Sequence, residues 1–136
     1  EAQATLGMVV PLERPGVLGT LAMLRLAQGR TADALAAAEE AVAACTAMGG
    51  CGIFRGAFVR LARVETLHTT GAVDAARAAI ADARARLCAI ADRIPDLAYR
   101  RSFLEGVPEN ARTFALARAW LGEVVPGAAT PEVPVA

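Results

Sequence analysis

At 136 residues the chain suits one compact domain, long enough to bury about two thirds of the surface its unfolded form exposes. Hydrophobic residues make up 55% and charged residues 21%, which excludes disorder over most of the length. Formal net charge is zero, so the basic excess that neutralises a phosphate backbone is missing and nucleic acid is not an expected partner.

All 14 basic residues are arginines, which together with the many Ala, Gly and Pro fits GC-rich codon usage of the bacterial kind. Mean hydropathy is positive. Even so, the longest uncharged internal run, residues 41–54, is shorter than the roughly 20 apolar residues of a membrane helix and is broken by Gly49 and Gly50. No basic segment precedes an apolar stretch, so no signal peptide is read. Cys45, Cys51 and Cys88 form an odd set without metal-type spacing, which points to a reduced compartment. The expectation is a cytoplasmic domain, opening on Glu1 as a fragment of something longer.

Residues 1–13 read as an N-terminal arm or the remnant of a preceding helix. Pro15 suits the start of a first helix running to about Gln28, with Val17, Leu18, Leu21, Ala22 and Leu24 on one side. Gly29 closes it. A second helix begins near Thr31, a candidate N-cap, with Asp33 at its positive end. Its stripe is Leu35, Ala38, Val42 and Cys45, while Glu39 and Glu40 face away. After "GGCG" a third helix covers about 53–69, with Phe54, Ala57, Phe58, Leu61 and His68 on one side and Arg60 and Arg63 opposite. Gly71 ends it.

The fourth helix carries the clearest seam: Val73, Ala76, Ile80, Ala83, Leu87, Ile90 and Ile94, stopped by Pro95. Asp96 is placed to cap a short fifth helix, "LAYRRSFLE", ending at Gly106. Val107 precedes Pro108 and so avoids helical torsions, and Pro108 opens a sixth helix with Phe114, Ala117 and Leu121 inward. Leu116 and Trp120 lie beside them, and Gly122 ends the helix. Residues 123–136 form a Pro-rich tail expected to be flexible.

Two helix pairs, 21–41 and 61–83, share a leading Leu-Ala, a glycine at the turn and an Asp-Ala opening the second helix. A period of this size in paired helices marks an α-solenoid, because one hairpin cannot cover its own apolar stripe and must stack on the next. On these residues the chain resembles the tetratricopeptide repeats, most closely in "LRLAQGRTADALAAAEEAV". The segment 91–122, carrying "RRSFLEGVPEN", is similar to the C-terminal region of myxobacterial serine/threonine protein kinases and related multidomain ATPases. That resemblance implies a regulatory appendage, since no phosphate loop, HRD or DFG triplet is present.

Candidate chemistry is sparse. The three cysteines and His68 lack zinc spacing. His68, the sole histidine, has no nucleophile or acid in a set relation to it. Glu39 and Glu40 diverge on a helix, and Glu105 and Glu109 flank a proline turn. Arg100 and Arg101 have Asp92, Asp96 and Glu105 nearby as partners. Arg60 and Arg63, on the outward side of the third helix, are the candidate partner-binding residues. No catalytic, cofactor or metal residue is assigned. The reading is an all-α domain over 14–122, about six helices in antiparallel hairpins stacked as a short degenerate tetratricopeptide-like superhelix. Its expected function is non-catalytic protein–protein interaction or regulation, with the groove lined by the first helix of each pair. The alternatives are a homodimerisation module and a ligand- or metal-binding bundle.

Overall fold

The computed structural model describes residues 13–50 and 55–122. Among these the chain forms six α-helices and one π-helical turn, with no strand. The helices are α1 (Arg14–Ala27), α2 (Thr31–Ala47), α3 (Gly56–Thr69), α4 (Val73–Ala91), α5 (Leu97–Arg101) and α6 (Pro108–Leu121). The π-helical turn, Ser102–Gly106, lies between α5 and α6. The all-α class and the helix count agree with the sequence reading. The arm before Glu13, Cys51, Phe54 and the tail 123–136 lie outside the described residues.

The helices stop where backbone chemistry makes them stop. Gly29 and Gly71 sit at φ 75° and 87°, a left-handed conformation that is unfavourable for residues with a Cβ. The two turns share one hydrogen-bond pattern: Gly29 N–H donates to the Leu26 carbonyl and Arg30 N–H to that of Arg25. Gly71 and Ala72 donate in the same way to His68 and Leu67. Each hairpin is antiparallel, as the side chains of the first one show. Arg14 at the start of α1 pairs with Glu40 far along α2, while Arg25 near the end of α1 donates to the Asp33 carbonyl at the start of α2.

The helix pairs pack in a regular order. α1 lies on α2 and α3, α2 on α3, α3 on α4 and α6, and α4 on α6. Gly19 allows the α1–α3 approach, because a Cβ there would sit 3.0 Å from Phe58 Cε1. Leu18, Ala41, Cys45 and Val59 form one core cluster across α1, α2 and α3. Leu61, Val64, Ile80, Leu116 and Ala117 form another across α3, α4 and α6. α3 contributes to both, so it is buried on most sides: Val59 and Val64 have no exposed surface. Each fully buried Leu, Val or Ile side chain contributes about 1.5–3 kcal/mol of hydrophobic stabilisation.

The buried positions repeat with the turns. Gly29 and Gly71 are 42 residues apart (71 − 29), and the same step carries Ala34 to Ala76, Ala38 to Ile80, Ala41 to Ala83 and Cys45 to Leu87. All eight of these core residues are buried. Asp33 and Asp74, the aspartates of the two shared Asp-Ala pairs, are 41 residues apart (74 − 33), one short of this step. Those aspartates sit in the first turn of their helices, one residue out of register with each other.

Several details differ from the sequence reading, each for a local reason. Thr31 does not cap α2; Arg30 holds the cap position, and the Arg30–Asp33 ion pair at 2.7 Å spans the turn instead. The α2 stripe runs through Ala34, Ala37, Ala38, Ala41 and Cys45, so Leu35 and Val42 are only half-buried at its edge. Leu24 and Val73 are exposed. α4 ends at Ala91, short of Pro95, and Ile94 continues as a turn whose amide donates to the Ala91 carbonyl. His68 is exposed, while Phe114 is half-buried.

Around the "EGVPEN" stretch the reading as helix punctuation agrees with the structure. Asp96 Oδ1 accepts from the amides of Ala98 and Tyr99 at 2.9 and 3.0 Å, and Pro108 opens α6. α5 gives way after Arg101 to the π-helical turn that ends at Gly106. Asn110 then ties that turn down: its Nδ2 donates to the Phe103 carbonyl at 2.9 Å.

Candidate functional site

Arg60 is the centre of the polar chemistry in the molecule. In the 42-residue register it falls on the position that Leu18 occupies in the first hairpin (60 − 18 = 42), and Leu18 is fully buried. A guanidinium cannot fill that place as an isobutyl group does. The side chain folds back over Gly56, where a Cβ would lie 3.1 Å from Nη2. Its Nε is buried and has no hydrogen-bond partner among the described residues. Leaving such a donor unsatisfied costs about 1–3 kcal/mol. Burial and then the neighbouring Arg86 push the Arg60 guanidinium below its usual pKa, with Asp82 acting in the opposite sense.

Two clefts share Arg60 as a wall. The first, about 80 Å³, lies between α2, α3 and α4, with Val42 and Thr46 on one side, Asp82 and Arg86 on the other, and Arg60 and Arg63 at its base. Arg63 Nε bonds Glu39 Oε1 at 2.9 Å, and Arg86 Nε bonds Asp82 Oδ2 at 2.9 Å. Two of the three arginines are thus paired. Arg60 forms no ion pair among the described residues, which leaves an excess of positive charge in the cleft. The walls here are the second helices of the two pairs, α2 and α4. Arg60 and Arg63 therefore open toward that side, away from a groove made by α1 and α3.

The second cleft, about 140 Å³, is bounded by α3, α4, the π-helical turn and the start of α6. Leu87, Ile90, Phe103 and Val107 make it largely apolar, with Arg55, Arg60, Glu109 and Asn110 as its polar groups. Asn110 is 2% exposed, and its Oδ1 is buried with no partner among the described residues.

The other candidates are accounted for by local contacts. Glu39 and Glu40 diverge, as expected, to Arg63 and Arg14. Arg100 donates from Nη2 and Nε to the Ile94 carbonyl at 2.9 and 3.1 Å, closing the turn after α4. Arg101 pairs with Glu105 at 3.7 Å. His68 stacks on Trp120, ring centroids 4.3 Å apart and 13° from parallel, so the end of α3 is joined to α6. Cys45 is in a disulfide and Cys88 is a free exposed thiol. The disulfide departs from the expectation of reduced cysteines. No group of three or more His, Cys, Asp and Glu suited to a metal gathers among the described residues. None of the described helices is long and apolar enough to cross a membrane.

Sequence reasoning singled out Arg60 and Arg63 but missed Asp82, Arg86 and Asn110, and it set Glu109 aside with Glu105 at the proline turn. The usable signal was the 42-residue register, which sets an arginine against a core leucine. No known protein-family model, characterised protein or solved structure matches the chain.

Proposed function

We propose that this chain is a non-catalytic interaction module of tetratricopeptide-like architecture, which captures an acidic segment of a partner protein or of another domain of its own parent chain. The order of packing supports the architecture, because α1 to α4 each rest on their sequence neighbour and α3 lies against both α1 and α6. The 42-residue recurrence of turn and core positions supports it as well.

The observation that carries the binding reading is the unpaired guanidinium of Arg60, held between the ion-paired Arg63 and Arg86 in one cleft. A carboxylate entering there supplies the acceptor that Nε lacks and forms a charge-assisted bond. The resemblance of residues 91–122 to kinase and ATPase C-termini extends this proposal to a regulatory role within a larger signalling protein.

Fluorescence anisotropy with a short labelled polyglutamate peptide tests it. The wild type binds with an affinity that falls as salt rises, and Arg60→Gln/Arg63→Gln loses about tenfold or more. Equal binding by the double variant removes both residues from the role. Inorganic phosphate as competitor separates recognition of the peptide from recognition of any small anion.

A second reading, homodimerisation, draws on the exposed Leu24 on α1 and on Leu97 and Tyr99, which are 75% and 73% exposed on α5. Sedimentation of the wild type against Leu24→Glu distinguishes it, since a monomer at all concentrations ends that reading.

A further inference from the structure

We propose that the cleft between α3, α4 and the start of α6 is a binding site for a small zwitterion, an α-amino acid with a branched aliphatic side chain. This goes beyond the capture of acidic segments and rests on a different cleft. Its polar groups come in two kinds. Arg55 and Arg60 offer guanidinium donors and positive charge. Glu109 offers a carboxylate, and Asn110, almost wholly buried, keeps an acceptor oxygen with no donor.

A carboxylic acid alone would leave Asn110 Oδ1 unsatisfied and face the Glu109 carboxylate. An amine alone would meet two guanidiniums. A ligand carrying both charges answers both sets: its carboxylate accepts from Arg55 and Arg60, and its ammonium donates to Glu109 and Asn110 Oδ1. Leu87 and Ile90 leave the remaining wall apolar. The volume, about 140 Å³, is close to that of the ~150 Å³ apolar cavity that admits a benzene ring, enough for an isobutyl or sec-butyl group.

Titration of the intact chain with L-leucine, followed by amide chemical shifts or calorimetry, tests the site. Two analogues isolate the charges: 4-methylpentanoate lacks the ammonium and isoamylamine lacks the carboxylate. Leucine is expected to saturate, with each analogue weaker by about tenfold or more. Glu109→Gln, at a position that is not fully buried, is expected to weaken leucine and isoamylamine while 4-methylpentanoate, relieved of the facing carboxylate, binds more tightly. It leaves polyglutamate binding intact, so the two proposals fail separately. Asn110→Leu is a second variant and is expected to abolish leucine binding. The proposal is overturned if leucine, isoleucine and valine show no saturable binding up to about 10 mM, far weaker than a millimolar site. It is equally overturned if leucine binds no better than both analogues, which would make the cleft a plain apolar void.

Discussion

Arg60 holds in the second hairpin the place that Leu18 holds in the first, and the exchange of a buried leucine for a half-buried arginine opens clefts on both sides of α3. Arg60→Leu restores the first hairpin's chemistry at this point. It removes an unsatisfied donor and the desolvation of a cation, so we expect a gain of about 1 kcal/mol. In a domain of this size that raises the melting temperature by about 3–6 °C, and the same variant loses polyglutamate binding. A thermal melt showing a loss of stability would contradict the assignment of Arg60 as a functional residue kept at structural cost.

The two hairpin turns depend on left-handed backbone at Gly29 and Gly71, and no atom lies within 4 Å of where a Cβ would be. Substitution there carries a conformational penalty with no clash. Gly71→Ala is expected to cost about 1–2 kcal/mol in urea unfolding, and a D-alanine introduced by chemical ligation is expected to restore or exceed the parent stability. Equal losses from both enantiomers would mean that contacts, and not torsion, decide the position.

Asp96 accepts two amide hydrogens at the start of α5, a helix with no buried residue to hold it by packing. Asp96→Ala should therefore act locally. Hydrogen exchange at Ala98 and Tyr99 is expected to accelerate by about tenfold, in line with a cap of roughly 1 kcal/mol, while the core amides of α3 and α4 hardly change. Asp96→Asn is expected to retain most of the protection.

Trp120 is the single tryptophan, so its emission reports on one place: the stack with His68 where the end of α3 meets α6. His68→Ala is expected to shift that emission and to cost about 0.5–1 kcal/mol, the lower part of the range for a ring pair because His68 is exposed. An unchanged spectrum would mean that the rings do not stack in solution.

The all-α class was legible because apolar steps of three and four residues recur between Gly29, Gly71 and Pro108, and each of these residues does end or begin a helix where the local chemistry requires it. The α4 seam from Ala76 to Leu87 could be read directly, since large aliphatics there have nowhere else to go. α2 was harder: with alanine on almost every side, hydrophobicity does not tell one face from another, and the buried stripe lay one residue from the Leu35–Val42 line. The clefts were illegible for a different reason. Asp82, Arg86 and Glu109 resemble ordinary surface charges, and only packing brings α2, α4 and α6 around Arg60.

The alanine lining of α2 also bears on how the molecule comes apart. Ala34, Ala37, Ala38 and Ala41 zip the N-terminal hairpin with little more than methyl groups, whereas Ile80 and Leu87 give the next one larger hydrocarbon anchors. Close backbone approach gives the former precise fit but little oily surface to lose. Of these two hairpins the first is therefore expected to open more readily, leaving the second held longer.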